Sequence, residues 1–513
     1  MHDGSRAGVI WDARCTTAAA LFQIESRAQM SALPRTKPKT FRDLSMQVAI
    51  IRPGPVTGKF VNPYIERRLG RQPVTYLHPS FKPFLERTLG VPLFQEQLLK
   101  MAMTCANFTG GEAEELRRAL GHKRSERRMK EIEVKLRAGM TANGIEGKAQ
   151  DKIVQFITSF ALYGFPESHS ASFALLAYAS AFLKVRYLAA FTAALLNNQP
   201  MGFYSAATIV KDAQRHGLVV KPIDVTRSQW NCSLEGPPSS PVLRIGLRYV
   251  RGLQRIVADD LVRVREQTSF TSTEDLARRV PLCSRADLMM FAGIGALNHI
   301  STGAPLHRRD ALWQVEKAAR RVRPLLEGIV EQDAPSPLLP MNSEERLVSD
   351  YYVSGMTTGP HPMAYRRKEL QSMNIMTAFE LRRTPNGKKA TIAGSVITRQ
   401  RPGTAKGLIF MTLEDETGHA NVIIMPDFYE ENRHTVIGER FVRVYGTVQN
   451  HDGIVHLRAE HIAPLGVTPV SFFLMKRDAA SHDHVKMDGY KTVEQKFDPD
   501  GKNIPVSIAP EKQ

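Results

Sequence analysis

The sequence predicts a multidomain α+β protein, helical through most of its length, with a small five-stranded β-barrel towards the C-terminal end. Three observations predict it. Up to about residue 235 apolar residues recur at helical spacing between Pro/Gly-rich loops, as in "LFQEQLLKMAMTCANF". From about 388 to 463 the spacing changes to alternation in short segments divided by turn signals. At 513 residues the chain is long enough for about three or four domains.

In chain order, "TTAAALFQIESRAQMSAL" reads as extended chain followed by a helix. "IIRPGPVTGKF" reads as a loop, since two prolines around a glycine continue neither helix nor strand. "TGGEAEELRRALGHKRSERRMKEIEVKLRAGM" has a Thr-Gly-Gly start and carries acids early and bases late, as the helix dipole favours. "GFPESHSASFALLAYASAFLK", from Gly164, sets a polar loop before an apolar run that Lys184 and Arg186 end. That run is short of the roughly 20 residues a membrane span needs, so a buried helix is expected. Between 240 and 310, "VLRIGLRYVRGLQRIVADDL" puts Arg251 and Gly252 in a turn between a strand-like segment and a helix containing Ala258. This half-matches a helix-hairpin-helix, where glycine frees N–H groups for a DNA phosphate. Gln254 replaces the usual second glycine, and a plain packing turn accounts for the segment equally well. The Pro-rich residues 320 to 345 read as a linker.

"ATIAGSVITRQ", "LIFMTLEDETG", "HANVIIMP", "RFVRVYGTVQN" and "IVHLRAEHI" are five strands, with "DETG" and "NHDG" as hairpin turns. A short helix, "DFYEENRHTVIG", falls between the third and fourth. That order is the order of an OB-fold, a module common in single-strand binding. Phe410 and Tyr445 are placed either to stack bases or to fill the core.

Lys plus Arg number 69 against 51 Asp plus Glu, a formal net charge of +18, which points to a polyanionic partner, nucleic acid before membrane. Four scattered cysteines, Cys15, Cys105, Cys232 and Cys283, fit a reducing, cytoplasmic setting and give no zinc spacing. Arg117 and Arg118 in "LRRALGHKR" suit phosphate oxygens, with Lys123 beyond them; the same residues also describe a solvated basic helix face. Arg52 in "IIRPGP" is one cation on a stiff loop. Ser168, His169 and Ser170 lie at a helix N-terminus that suits an anion, or form a Ser cap with a structural His. The chain shows no Walker A, GxSxG or HExxH pattern, and no Asp-x-Asp in an apolar strand.

"LFQIESRAQM", "IRPGP", "GVPLFQEQ", "LRRALGHK", "YGFPESHSASFALLAYASAFLK", "LLNNQPMGFY" and "FMTLEDETG" follow one another as in the bacterial C-family DNA polymerases, the polymerase III alpha subunits. The "GFPESH" and "NNQPMGFY" wording resembles the error-prone, damage-tolerant branch. The resemblance runs from about Thr17 to Ile462. It implies a palm–fingers remnant over 1–50, helical fingers over 51–235 and a helix-hairpin-helix region over 236–318. Linker and connecting helices over 319–387, an OB domain over 388–465 and an irregular tail over 466–513 follow. It implies a nucleotide site of Arg117, Arg118, Lys123, His169 and Arg52, and DNA contacts at Gly252, Arg251, Phe410 and Tyr445. Primer-template DNA and deoxynucleoside triphosphates are the implied partners, with accessory proteins of a damage-induced complex and only indirect contact to a sliding clamp. The family's phosphoesterase-like domain and metal-binding palm precede the first motif seen here. The expectation is therefore a chain inactive alone, with Mg²⁺ bound only through that palm. The alternative is a non-catalytic nucleic-acid-binding module, including an OB-fold RNA binder.

Overall fold

Ser26 and Thr40 start the first two helices. The Ser26 hydroxyl accepts the Gln29 N–H to open Arg27–Thr36, and Thr40 forms a capping box with Asp43 to open Phe41–Ile50. Gln29, Thr36 and Gln47 are buried between these helices and satisfy one another, the Gln47 amide donating to Gln29 Oε1 at 2.7 Å. The computed structural model describes residues 20–51, 57–119, 126–160, 165–202, 204–301, 305–318, 336–401 and 407–465. Arg52 and Lys123 lie outside the described residues, as do the tail from 466 and most of the Pro-rich linker.

The apolar run becomes the helix Glu167–Arg186, packed across Phe41–Ile50. The expectation that it is buried needs correction. It buries Ser170, Ala174, Ala177, Ala181 and Lys184, while Leu175 is 58% and Leu176 49% exposed, and Phe182 and Leu183 also face out. The buried positions are spaced four and three residues apart, one seam on the helix surface. Small side chains on that seam bring the two backbones close, so the large residues are left on the other faces. Among the described residues no single helix is long and apolar enough to cross a membrane. The chain bends by 119° between Glu167–Arg186 and Leu188–Asn197.

A second helical layer, Gln95–Ala106, Gly110–Ala119, Glu126–Ala142 and Gly147–Phe160, closes on Leu98, Met101, Leu116, Leu136, Met140 and Ile153. A third core joins Leu196 and Val210 to Leu261, Phe291 and Val315, through the helices Ala206–Arg215, Arg255–Gln267, Arg285–Ile294 and Arg308–Ala318. It includes a small sheet, β1 (Val220–Lys221), β2 (Ser233–Glu235) and β3 (Val242–Arg244), in the order β1-β3-β2. Strands of two and three residues are too short to leave a period in the sequence, and β1 and β2 were not foreseen.

The five expected strands form a closed barrel: β4 (Lys389–Gln400), β5 (Ile409–Asp415), β6 (Gly418–Ile424), β7 (Phe441–His451) and β8 (Ile454–Pro464), ordered β4-β5-β6-β8-β7. The expected helix is two short ones, Pro426–Glu431 and Arg433–Gly438. Asp452 and Gly453 both have positive φ, the geometry a two-residue Asp-Gly hairpin requires. Several contacts among the described residues tie the barrel to the helical part, two of them far apart on the barrel. Arg215 pairs with the buried Glu414 of β5 at 2.7 Å, and Arg71 forks onto Asp452 at the β7–β8 tip.

Candidate nucleic-acid and nucleotide interface

Arg117 and Arg118 occupy the last turn of Gly110–Ala119, a helix fixed by Ala113 and Leu116 on its buried side. Both guanidiniums are on the surface, Arg118 at 72% exposure. One carboxylate serves both: Arg117 forks onto Glu114 at 2.7 and 2.8 Å, and Arg118 Nε reaches it at 3.2 Å. The Arg117 guanidinium beside Glu114 holds that carboxyl down at about 2. At neutral pH the cluster is therefore two cations clamped by one anion. Arg118, with a single contact, is the looser of the two.

The loop before Glu167–Arg186 differs from expectation in one respect. Its helix N-terminus already has an anion from the protein: the Glu96 carboxylate accepts the Glu167 N–H at 3.0 and 3.1 Å. Arg87 pairs with Glu167. Ser170 is buried against Ser45, so of the expected trio Ser168 and His169 are exposed. His169 lies between Phe165 and Phe173, ring centroids 5.2 and 4.2 Å away. Gln95–Ala106 links the two parts, since it packs against Gly110–Ala119 and its Glu96 holds the start of Glu167–Arg186. Among the described residues no hydrogen bond or ion pair joins Arg117 or Arg118 to His169.

Gly252 has φ +78° in an exposed turn before Arg255–Gln267, whose cap residue Gln254 makes no side-chain cap bond. The helix's first N–H groups are thus left without a capping side chain. Arg251 is exposed, with its guanidinium 5.4 Å from the Tyr352 ring. A Gly-x-Gly spacing does occur in this region, at Gly293 and Gly295, and sequence reading missed it. Gly295 caps Arg285–Ile294 at φ +78°, with a Cβ position only 2.9 Å from Arg308 Nε, so that turn is packed inside the fold.

In the barrel, Ile409, Met411 and Leu413 point inward, which turns Phe410 outward; Arg443 and Tyr445 likewise alternate with Val442 and Val444. Neither aromatic is core. They are not neighbours either: Phe410 pairs with Gln400 and Tyr445 with Thr391, at opposite ends of β4, roughly 30 Å of strand apart. Tyr445 is 41% exposed, between Thr391 and His461, with Lys389 Nζ 5.9 Å from its ring. Arg443 and Arg458 are exposed on the same strands, and Glu460 pairs with both Lys389 and Arg458. The Lys389 ammonium holds the Glu460 carboxyl at about 2. Lys389, Arg443 and His461 were legible only through register, since they lie on three different strands.

Three segments match known families. Residues 9–144 match the bacterial DNA polymerase III alpha subunit finger domain, 217–311 a helix-hairpin-helix motif, and 390–465 an OB-fold nucleic acid binding domain. The chain is 44% identical over 459 residues to the error-prone DNA polymerase of Anaeromyxobacter sp. (strain K), covering 88% of this chain and 40% of that protein. It is 45% identical over 441 residues to the error-prone DNA polymerase of Alkalilimnicola ehrlichii, covering 86% and 42%. Among solved structures, an asparaginyl-tRNA synthetase from Pyrococcus horikoshii is similar at TM-score 0.17 and 25% identity, over 18% of this chain and 23% of that one.

Finger helices, a helix-hairpin-helix region and an OB barrel follow one another along the chain in this order. The chain belongs to the bacterial DNA polymerase III alpha-subunit family and is related there to the error-prone DNA polymerases. It spans about two-fifths of the length of these relatives.

Proposed function

We propose that this chain is the nucleotide- and template-handling part of an error-prone DNA polymerase that copies past damaged template. The observation that carries the reading is the similarity to error-prone polymerases over 88% of the chain. In this reading the triphosphate displaces Glu114 and is held by Arg117 and Arg118, with Arg52, Lys123 and His169 completing the site. Primer-template DNA runs over the turn at Arg251 and Gly252, and its single strand reaches the barrel face around Tyr445, where cations track the backbone and the ring stacks a base. Phe410, at the far end of β4, meets a different nucleotide.

Polymerases of this class need divalent metal to stabilise charge on the transferring phosphoryl group. Among the described residues no group of three or more histidine, cysteine or acidic side chains is placed to hold an ion. Mg²⁺ binding belongs with the family's palm.

The test has two arms. Purified chain should bind primer-template DNA more tightly than tRNA at one fixed salt concentration, and give no primer extension with Mg²⁺ and four deoxynucleotides. In an enzyme with the palm restored, Arg118→Ala should lower kcat/KM about ten- to a hundred-fold for all four bases alike, with Arg118→Lys recovering part. Preference for tRNA, or an Arg118→Ala defect confined to one base, would overturn the assignment.

A further inference from the structure

Away from the arginine pair, the helical region contains an open cleft of about 400 Å³ between the end of the helix Thr57–Arg68, the segment around Tyr76 and the helix Gly147–Phe160. Its volume is within the usual range for small-ligand sites. Among the described residues three cations line it, Arg67, Lys148 and Lys152, together with the rings of Tyr76 and Phe156, and no acidic side chain does. Lys148 and Lys152 are one helical turn apart, so they share a face. The adjacent acids are engaged elsewhere, Glu66 with Arg71 at 3.6 Å and Asp151 with Arg137 at 2.7 Å.

Arg67 is placed as a wall of this cleft. Its Nη1 donates to the Leu89 and Thr75 carbonyls at 2.6 and 3.2 Å and its Nη2 to Thr75 Oγ1 at 2.9 Å. Its Nε is buried with no partner. Gly90 makes the arrangement possible: a Cβ there would come within 2.3 Å of the Thr75 carbonyl oxygen and 2.7 Å of Arg67. The guanidinium is therefore held by neutral groups and has no counter-ion among the described residues, an unfavourable state for a partly desolvated charge. An anion entering the cleft relieves it and the two lysines together.

We propose that this cleft binds a nucleotide unit, its phosphate between Lys148, Lys152 and Arg67 and its base against Tyr76 and Phe156. Aromatic rings with convergent cations and no acid are the chemistry that recognises a phosphorylated base. The unit is either a free nucleotide or one residue of a single strand passing over the helices. The site is separate from Arg117 and Arg118, whose helix contributes nothing to the lining.

The experiment uses the whole chain and two photoreactive probes, 8-azido-dAMP and a ten-residue oligodeoxythymidylate carrying one 5-iododeoxyuridine. Irradiation should attach one of them to the peptide containing Tyr76 or Phe156, and the attached probe identifies the source. Lys148→Glu with Lys152→Glu should reduce that adduct about tenfold or more, with circular dichroism unchanged because both lysines are exposed. Arg118→Ala should leave the adduct intact, which separates this site from the nucleotide site proposed above. No adduct on either peptide with either probe, or one that survives the double substitution, would overturn the proposal.

Discussion

The barrel and the helix Glu167–Arg186 are both rich in apolar residues, yet they bury opposite kinds of side chain. In the barrel the large residues go inside: Met411, Val422, Val444, Val448 and Leu457 are fully buried. In the helix the small ones do, with Ala174 and Ala177 at 0% exposure while Leu175 and Leu176 face out. A closed barrel has an interior that only volume can fill. Two helices in close contact have a seam that excess volume disrupts. Hydrophobicity therefore locates the buried side in one region and misleads in the other.

The largest effect expected from this contrast is in the barrel. Leu457→Ala removes a fully buried side chain and should cost about 3 kcal/mol, read as a lower urea midpoint for the barrel's transition. In the helix the rule inverts. Ala177→Leu should cost about 2 kcal/mol by overpacking the seam against Phe41–Ile50, whereas Leu176→Ala should stay within about 0.5 kcal/mol. Hydrogen exchange over residues 170–186 reads both. A larger loss for Leu176→Ala than for Ala177→Leu would reverse the account of this helix.

The same contrast explains what was legible in the sequence. Period-two alternation from Ala390 to Ile462 has one structural solution, and the five strands, their turns and the outward direction of Tyr445 follow from it. The run Ala171–Leu183 is apolar on every side, so it carries no face, and only the four-three spacing of its small residues marked the seam. The Arg117/Arg118 pair was visible as charge. Its clamp by Glu114, three and four residues away, was visible as spacing and was overlooked. Glu96 at the start of Glu167–Arg186 is a contact between residues 71 positions apart, which no local pattern announces. The cleft at Arg67 is equally nonlocal, since Gly90 and Lys148 come from distant segments.

pH should separate the two regions with opposite signs. Burial pushes the Glu25 carboxyl, in the helical part, up from 4.5 to about 7, against the pull of Lys184. The folded state then holds a proton that the unfolded chain has released, so this part loses stability as pH rises from 4.5 towards 7. Burial pushes His361, beside the barrel's Glu414, down from 6.5 to about 4. Here the unfolded chain binds the proton first, so the joint loses stability as pH falls from 6.5 towards 4. Each slope is at most about 1.4 kcal/mol per pH unit. Segment-resolved hydrogen exchange, corrected for intrinsic rates, should show residues 20–51 better protected at pH 5 than at 7 and residues 359–365 the reverse. Glu25→Gln should abolish the first trend alone; equal slopes in both segments would refute the assignment.

The smallest effect is at the surface, where the two regions are alike. Each presents a pair of cations clamped by one carboxylate: Arg117 and Arg118 by Glu114, Lys389 and Arg458 by Glu460. The clamped acid competes with an incoming phosphate, so neutralising it should favour anions at that site alone. Glu114→Gln should tighten binding of inorganic tripolyphosphate about two- to threefold, and Glu460→Gln should do the same for a short oligodeoxythymidylate. Exposed pairs are weak and screened, so both gains should shrink as salt rises. Exchanging the probes should abolish each gain, because tripolyphosphate has no base for Tyr445 and a strand has no terminal triphosphate for the arginines. If Glu114→Gln strengthened oligonucleotide binding as much as tripolyphosphate binding, the arginine pair would be part of a general DNA-tracking surface and not a triphosphate site.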